Sequence, residues 1–214
     1  KAVSGATGSE FDKLTAKAKE MGATTKFTAT QSAEAFNYMA MAGWDSQQML
    51  DGIEGILNLA AASGEDLGTT SDIVTDALTA FGLKASDAAH FSDVLAQSAA
   101  SANTNVSMMG ESFKYVAPIA GAMKYSVEDT SLALGLMANA SVKGSMAGTS
   151  LKTALANMAA PTDKMATAMK KYGISLTDSN GNMKTLKGVL DNLRSSLGGL
   201  SETEKTAATS TIFG

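Results

Sequence analysis

The chain has 214 residues, enough for one large domain or two small ones, and its 44% hydrophobic and 18% charged content suits a folded body rather than a disordered one. It has no cysteine, which excludes disulfide frameworks, thiolate metal sites and cysteine nucleophiles. Its net charge is −4 and Arg194 is the one arginine among 17 basic residues, which argues against a nucleic-acid groove built on clustered arginines.

The two prolines suit long helices, and the 20 glycines with abundant Ala, Ser and Thr suit close helix packing at short corners. The core is rich in Met, at 13 residues, and poor in aromatics. Met fills irregular gaps but specifies one packing weakly, so such a core is adaptable. Charge is uneven: the first hundred residues lean acidic and the stretch from Lys143 to Lys187 leans basic, read as solvated helix faces. No signal peptide and no stretch of about twenty apolar residues is evident. The opening on Lys1 and the close on "STIFG" suggest a fragment of a longer protein.

The elements follow in order. "TKFTATQSAEAFNYMAMAG" begins with Thr28 and Gln31 at capping-box spacing and runs to Gly43. Trp44 follows as an apolar plug at the corner. Asp45 with Gln48 then caps a run in which Met49, Leu50, Ile53, Ile56, Leu57 and Ala60 form one buried stripe. "EDLGTTSDIVTDALTAFG" begins a third helix, with Thr69 and Asp72 at the capping spacing. After Ser86, Phe91, Val94, Leu95 and Ser98 keep the helical period. "NTNVSMMGESFKYVAPIAG" follows, and Pro118 inside it should kink that helix and free one carbonyl. After Ser126, Thr130, Leu134, Met137 and Ala138 form the next stripe, with Asp129 completing a capping box.

Ser46, Ser86 and Ser126 stand 40 residues apart, each read as the N-cap after a corner. A period near 40 built from two helices predicts an all-α fold of stacked helix hairpins, about four units over residues 27–173. The fourth is degraded: "AGTSLKTALANMAAP", then Pro161, Thr162 as cap and "TDKMATAMKKYG". In "ISLTDSNGNMKTL", Asn180-Gly181 predicts a small β-hairpin over residues 174–186. Two terminal helices over residues 187–214, the second capped by Ser201 with Glu204, complete one helical domain spanning residues 1–214.

No residue stands out as catalytic, cofactor-binding or metal-ligating. His90 is the one histidine; Asp93 lies a turn away, but no second His or Cys completes a metal site, and a partly buried helical residue is the simpler reading. "GSMAG" at 144–148 has the GxxxG spacing outside any apolar span, so it reads as close helix packing or a turn. "DSNGN" at 178–182 resembles a calcium loop, but its glycine falls at the wrong position and no Glu closes it. Glu65-Asp66 and Glu128-Asp129 sit at helix starts, where the helix dipole favours acids.

The run "FTATQSAEAFNYMAMAGWDSQQMLDGIEGILNLAAASGEDLGTTSDIVTDALTAFGL" resembles the conserved core region of phage tail tape measure proteins, of long-tailed phages or prophages. The resemblance continues through "FSDVLAQSAASANTNVSMMGESFKYVAPIAGAMKYSVEDTSLALGLMANASVKGSMAGTSLKTAL" and "GISLTDSNGNMKTL" to "AATSTIFG", from about Phe11 to Gly214. It implies structural work, not enzymatic: setting tail length and supporting tube assembly. It implies as partners the tail tube, distal tail or baseplate proteins and tail assembly chaperones, with a homo-oligomer possible, no cofactor, no specific nucleic-acid binding and no membrane span in this stretch. The implied location is the virion tail, and the host cytoplasm during assembly. A helical ruler is linear, at about 1.5 Å per residue. Stacked hairpins are compact, so the expectation is a globular module beside the ruler, with a Met-rich core able to rearrange in a narrow channel. A helical-repeat binding module and a membrane- or cell-wall-active delivery protein are the alternative functions.

Overall fold

The computed structural model describes residues 5–213. Among them are eleven α-helices: α1 (Ser9–Thr24), α2 (Ala29–Met41), α3 (Ser46–Ser63), α4 (Leu67–Phe81), α5 (Ala88–Ser101), α6 (Val106–Ala122), α7 (Val127–Asn139), α8 (Gly144–Ala159), α9 (Asp163–Tyr172), α10 (Leu186–Gly198) and α11 (Glu202–Phe213). The all-helical expectation holds. α1 had no predicted element, although Leu14, Ala18 and Met21 carry a helical stripe and are buried.

Local chemistry sets the helix starts. Thr28 and Asp45 each form a complete capping box, with Gln31 and Gln48. Asn105, Ser126 and Thr162 accept the N–H of Met108, Asp129 and Met165. Ser201 and Glu204 bond reciprocally at the start of α11. The expected Thr69–Asp72 box does not form: Thr69 lies inside α4, and Asp66 is the cap, accepting the Thr69 N–H at 2.8 Å. An acceptor three residues upstream of the N–H is what the first turn needs, and Asp66 stands there.

Five helices end the same way. The N–H groups of Trp44, Leu83, Tyr125, Val142 and Ile174 reach back five residues to the carbonyls of Met39, Leu78, Ala120, Met137 and Met169. The residue before each has positive φ: Gly43, Gly82 and Gly173, but also Lys124 (61°) and Ser141 (67°). This is the Schellman ending, in which the following apolar residue folds back on the helix. Trp44 is buried at its corner against α3, where a side-chain carbon on Gly52 would run into the indole ring.

The larger packing joins helices two apart in sequence. α2 lies on α4, α4 on α6 and α6 on α8; α3 lies on α5 and α5 on α7. The result is two layers of helices, with α1 against α2 and α3 at one end. At the other, α11 packs on α8 and α9, and α10 on α7. One apolar cluster runs through both layers, including Ile53, Ile56, Phe91, Phe113 and Leu134. Phe113 meets Phe91 and Phe81 edge to face, with ring centroids 5.6 and 5.8 Å apart. α6 runs through Pro118 without a break, and Pro118 withholds the N–H that would bond the Lys114 carbonyl.

Two expectations are corrected. The period near 40 is not supported. Its three marker serines hold three different positions: Ser46 is the first residue of α3 behind the cap Asp45, Ser86 lies inside a 3-10 turn (Ala85–Asp87), and only Ser126 caps a helix. Helix lengths from α2 to α9 range from 10 to 18 residues. The β-hairpin over 174–186 is also absent; Thr177 and Met183 form one isolated antiparallel bridge. The physical reason is local competition. The Asp178 carboxylate takes the N–H groups of Asn180 and Asn182, a five-residue loop separates the bridged pair, and the Ser175 N–H bonds the Asn192 side chain on α10. Of the Asn180-Gly181 pair only Gly181 has positive φ, whereas a two-residue hairpin turn of this type needs both. Leu186 already belongs to α10, behind the cap Thr185.

Candidate functional site

The structure separates most of the residues that the sequence singled out. "DSNGN" is a closed loop whose Asp178 carboxylate is used by its own backbone, which holds it below the ordinary carboxylate range. Asp66 caps α4 and is likewise held low, by the Thr69 hydroxyl first. "GSMAG" opens α8, and Gly148 lies against the Ser112 backbone of α6 while the Ser112 hydroxyl donates to the Gly144 carbonyl at 2.8 Å. It is a close-packing element. Among the described residues, no group of three or more His, Cys, Asp or Glu side chains could hold a metal ion. No helix of theirs is long and apolar enough to cross a membrane.

His90 differs from its expected place. It is exposed rather than partly buried, and its Nε2 lies 2.6 Å from the Glu128 carboxylate of α7. The pair bridges two helices that are 38 residues apart in sequence. The Glu128 N–H first, and His90 after it, hold the Glu128 carboxyl below its ordinary range, against an opposing rise from burial. Asp93, one turn along α5, is exposed, and its carboxylate has no hydrogen-bond or ion-pair partner among the described residues.

These residues stand at one end of a groove of about 510 Å³ between α5 and α7. Its floor includes Val94, Ser98, Ser131 and Gly135, and its outer wall is Leu132 and Leu136, which are 43% and 53% exposed. Ser131 is fully buried and its hydroxyl has no partner. The sequence reading followed only the inner stripe of α7, from Thr130 to Ala138. Leu132 and Leu136, four apart and off that stripe, were the signal of a second apolar face. Another groove, of about 510 Å³, lies beside the Asp178 loop and is lined by Met123, Met158, Met169 and Met183.

The profile of the family described as phage-related minor tail protein matches residues 15–214. The chain is 39% identical over 213 residues to a tape measure protein of Pneumococcus phage Dp-1, covering all of this chain and 18% of that protein. It is 28% identical over 207 residues to a probable tape measure protein of Escherichia phage P2, covering 96% of this chain and 25% of that protein. The chain thus spans a quarter or less of the length of these relatives. No solved structure matches it significantly.

Proposed function

This chain belongs to the phage-related minor tail protein family, and from that premise we propose that it is a globular, non-enzymatic module of a tape measure protein. In this reading the parent protein sets tail length and supports tube assembly in the virion tail, after synthesis in the host cytoplasm. The module docks on tail tube, distal tail or assembly-chaperone proteins, and residues 1–214 act as one helical domain. The domain bounds at residues 1 and 214 lie outside the described residues.

One observation carries the assignment to a module rather than to the ruler. The longest helix, α3, has 18 residues, which is roughly 27 Å at about 1.5 Å per residue. The helices fold back into two layers instead of extending end to end. A ruler converts residues to length only where the chain is extended as one helix.

In-frame deletions in the full-length gene, with tail lengths measured by electron microscopy, test this. Deleting helical segments outside this module should shorten tails by about 1.5 Å per residue removed. Deleting α4 to α7 should prevent normal tail formation instead. Proportional shortening from the α4 to α7 deletion would assign this segment to the ruler and overturn the proposal.

A further inference from the structure

Glycine contacts differ along the layers, and one helix seam carries an open apolar groove. Elsewhere, neighbours within a layer approach until only glycine fits. A side-chain carbon on Gly55 of α3 would lie 2.6 Å from the Ala88 backbone at the start of α5, and one on Gly148 of α8 would run into the Ser112 backbone of α6. On α7 the matching glycine is not pressed. A carbon on Gly135 would meet only the Ala102 methyl, at an ordinary 3.4 Å. α5 and α7 touch along their seam, and a groove over that seam is open to solvent.

Four features of this groove point to one kind of occupant. Its floor is built of small and medium side chains, with Val94, Ser98 and Gly135. Two leucines of α7, Leu132 and Leu136, expose about half of their surface beside it. That burial is unfinished, and covering these leucines removes further apolar surface from water. At one end the half-exposed Glu128, bonded to the His90 ring, and the exposed Asp93 line the groove. The groove follows α7 from Glu128 to Asn139, roughly 17 Å at about 1.5 Å per residue, or three helical turns.

We propose that the groove between α5 and α7 is a docking site for an amphipathic helix of a partner protein, which lays an apolar row against Leu132 and Leu136 and sets a Lys or Arg against Asp93 and Glu128. The elongated groove fits a helix face with anchors at i, i+3 or i+4, and i+7. The carboxylate end fixes its direction: a basic residue placed at the other end would leave Asp93 uncompensated. Charge at the rim selects the partner and its register, while the leucine contacts hold it. The site stands on the chemistry of the groove and does not depend on the tail assignment.

A selection on the intact chain tests it. The probe is a displayed library of helix-forming peptides, about 16 residues long so that each can hold a helix, randomised along one face. Enriched peptides should carry apolar residues at the three anchor spacings and a Lys or Arg beyond one end. Their binding should fall about tenfold or more with Leu136→Asp, and several-fold at low salt when Asp93→Asn and Glu128→Gln are combined. Leu136 is 53% exposed, so the aspartate variant should keep its helical circular dichroism. Absence of enrichment, enrichment of acidic peptides, or binding unchanged by Leu136→Asp would overturn the proposal. Sedimentation of the chain alone supplies the second arm. A dimer that Leu136→Asp dissociates would make a second copy the occupant and exclude the partner helix.

Discussion

At two corners a side chain occupies a backbone conformation that glycine would hold without strain. Lys124 and Ser141 have φ of 61° and 67° at Schellman endings whose counterparts are Gly43, Gly82 and Gly173. The left-handed region costs an L-residue about 1–2 kcal/mol, and glycine returns about 0.4–1 kcal/mol of that through the freer unfolded chain. Ser141 is exposed, and its N–H bond to Ala138 survives the change. Ser141→Gly should therefore stabilise the chain by about 0.5–1 kcal/mol, read as a rise in the urea midpoint with unchanged slope. A lower midpoint would mean that the serine side chain does something beyond tolerating the turn.

Contacts between elements respond differently to the same kind of change. At Gly148 an added carbon meets the backbone of Ser112, which cannot rotate away, so α8 must move off α6. Gly148→Ala should cost about 1–3 kcal/mol, despite the better helix propensity of alanine; denaturant unfolding that shows a gain would contradict so close an approach. Between α5 and α7 the Glu128 carboxyl is held below its ordinary range by its own N–H and by His90. A depressed acid stabilises the fold above its unfolded pKa, and that contribution is lost as pH falls through its lower folded pKa. Half the side chain is exposed, so solvent screens the effect. Glu128→Gln should cost no more than about 0.5 kcal/mol at neutral pH, and the difference should vanish below the carboxylate range. A cost that persists in acid would point to packing instead of charge.

For the whole molecule, the apolar cluster is continuous from Leu14 on α1 to Ile212 on α11. Layers joined by one core should lose their structure together. Trp44 fluorescence and helical circular dichroism should follow one coincident thermal transition. Earlier loss of the Trp44 signal would divide the chain into units that open separately. Among the described residues, four buried hydroxyls, on Ser71, Ser92, Tyr125 and Ser131, have no partner. Each such group costs about 1–3 kcal/mol, which moderates the stability of the packed body.

Much of this was legible in the sequence, because it is local. Caps such as Thr28 with Gln31 and Asp45 with Gln48 act within one turn, and the stripes after them repeat every three or four residues. The corner role of Trp44 and the helical class are readable in the same way, whereas the kinship with tail proteins rests on the resemblance of long runs of the chain to that family. Other features depend on groups far apart along the chain. The failed hairpin followed from side-chain acceptors at Asp178 and Asn192 that outcompeted a strand ladder. The period of 40 failed because identical serines take different places at successive corners. What a glycine meets across the layer depends on the tertiary arrangement of the helices. Gly148 meets a backbone and Gly135 only a methyl group. That difference is invisible in the spacing of residues along the chain.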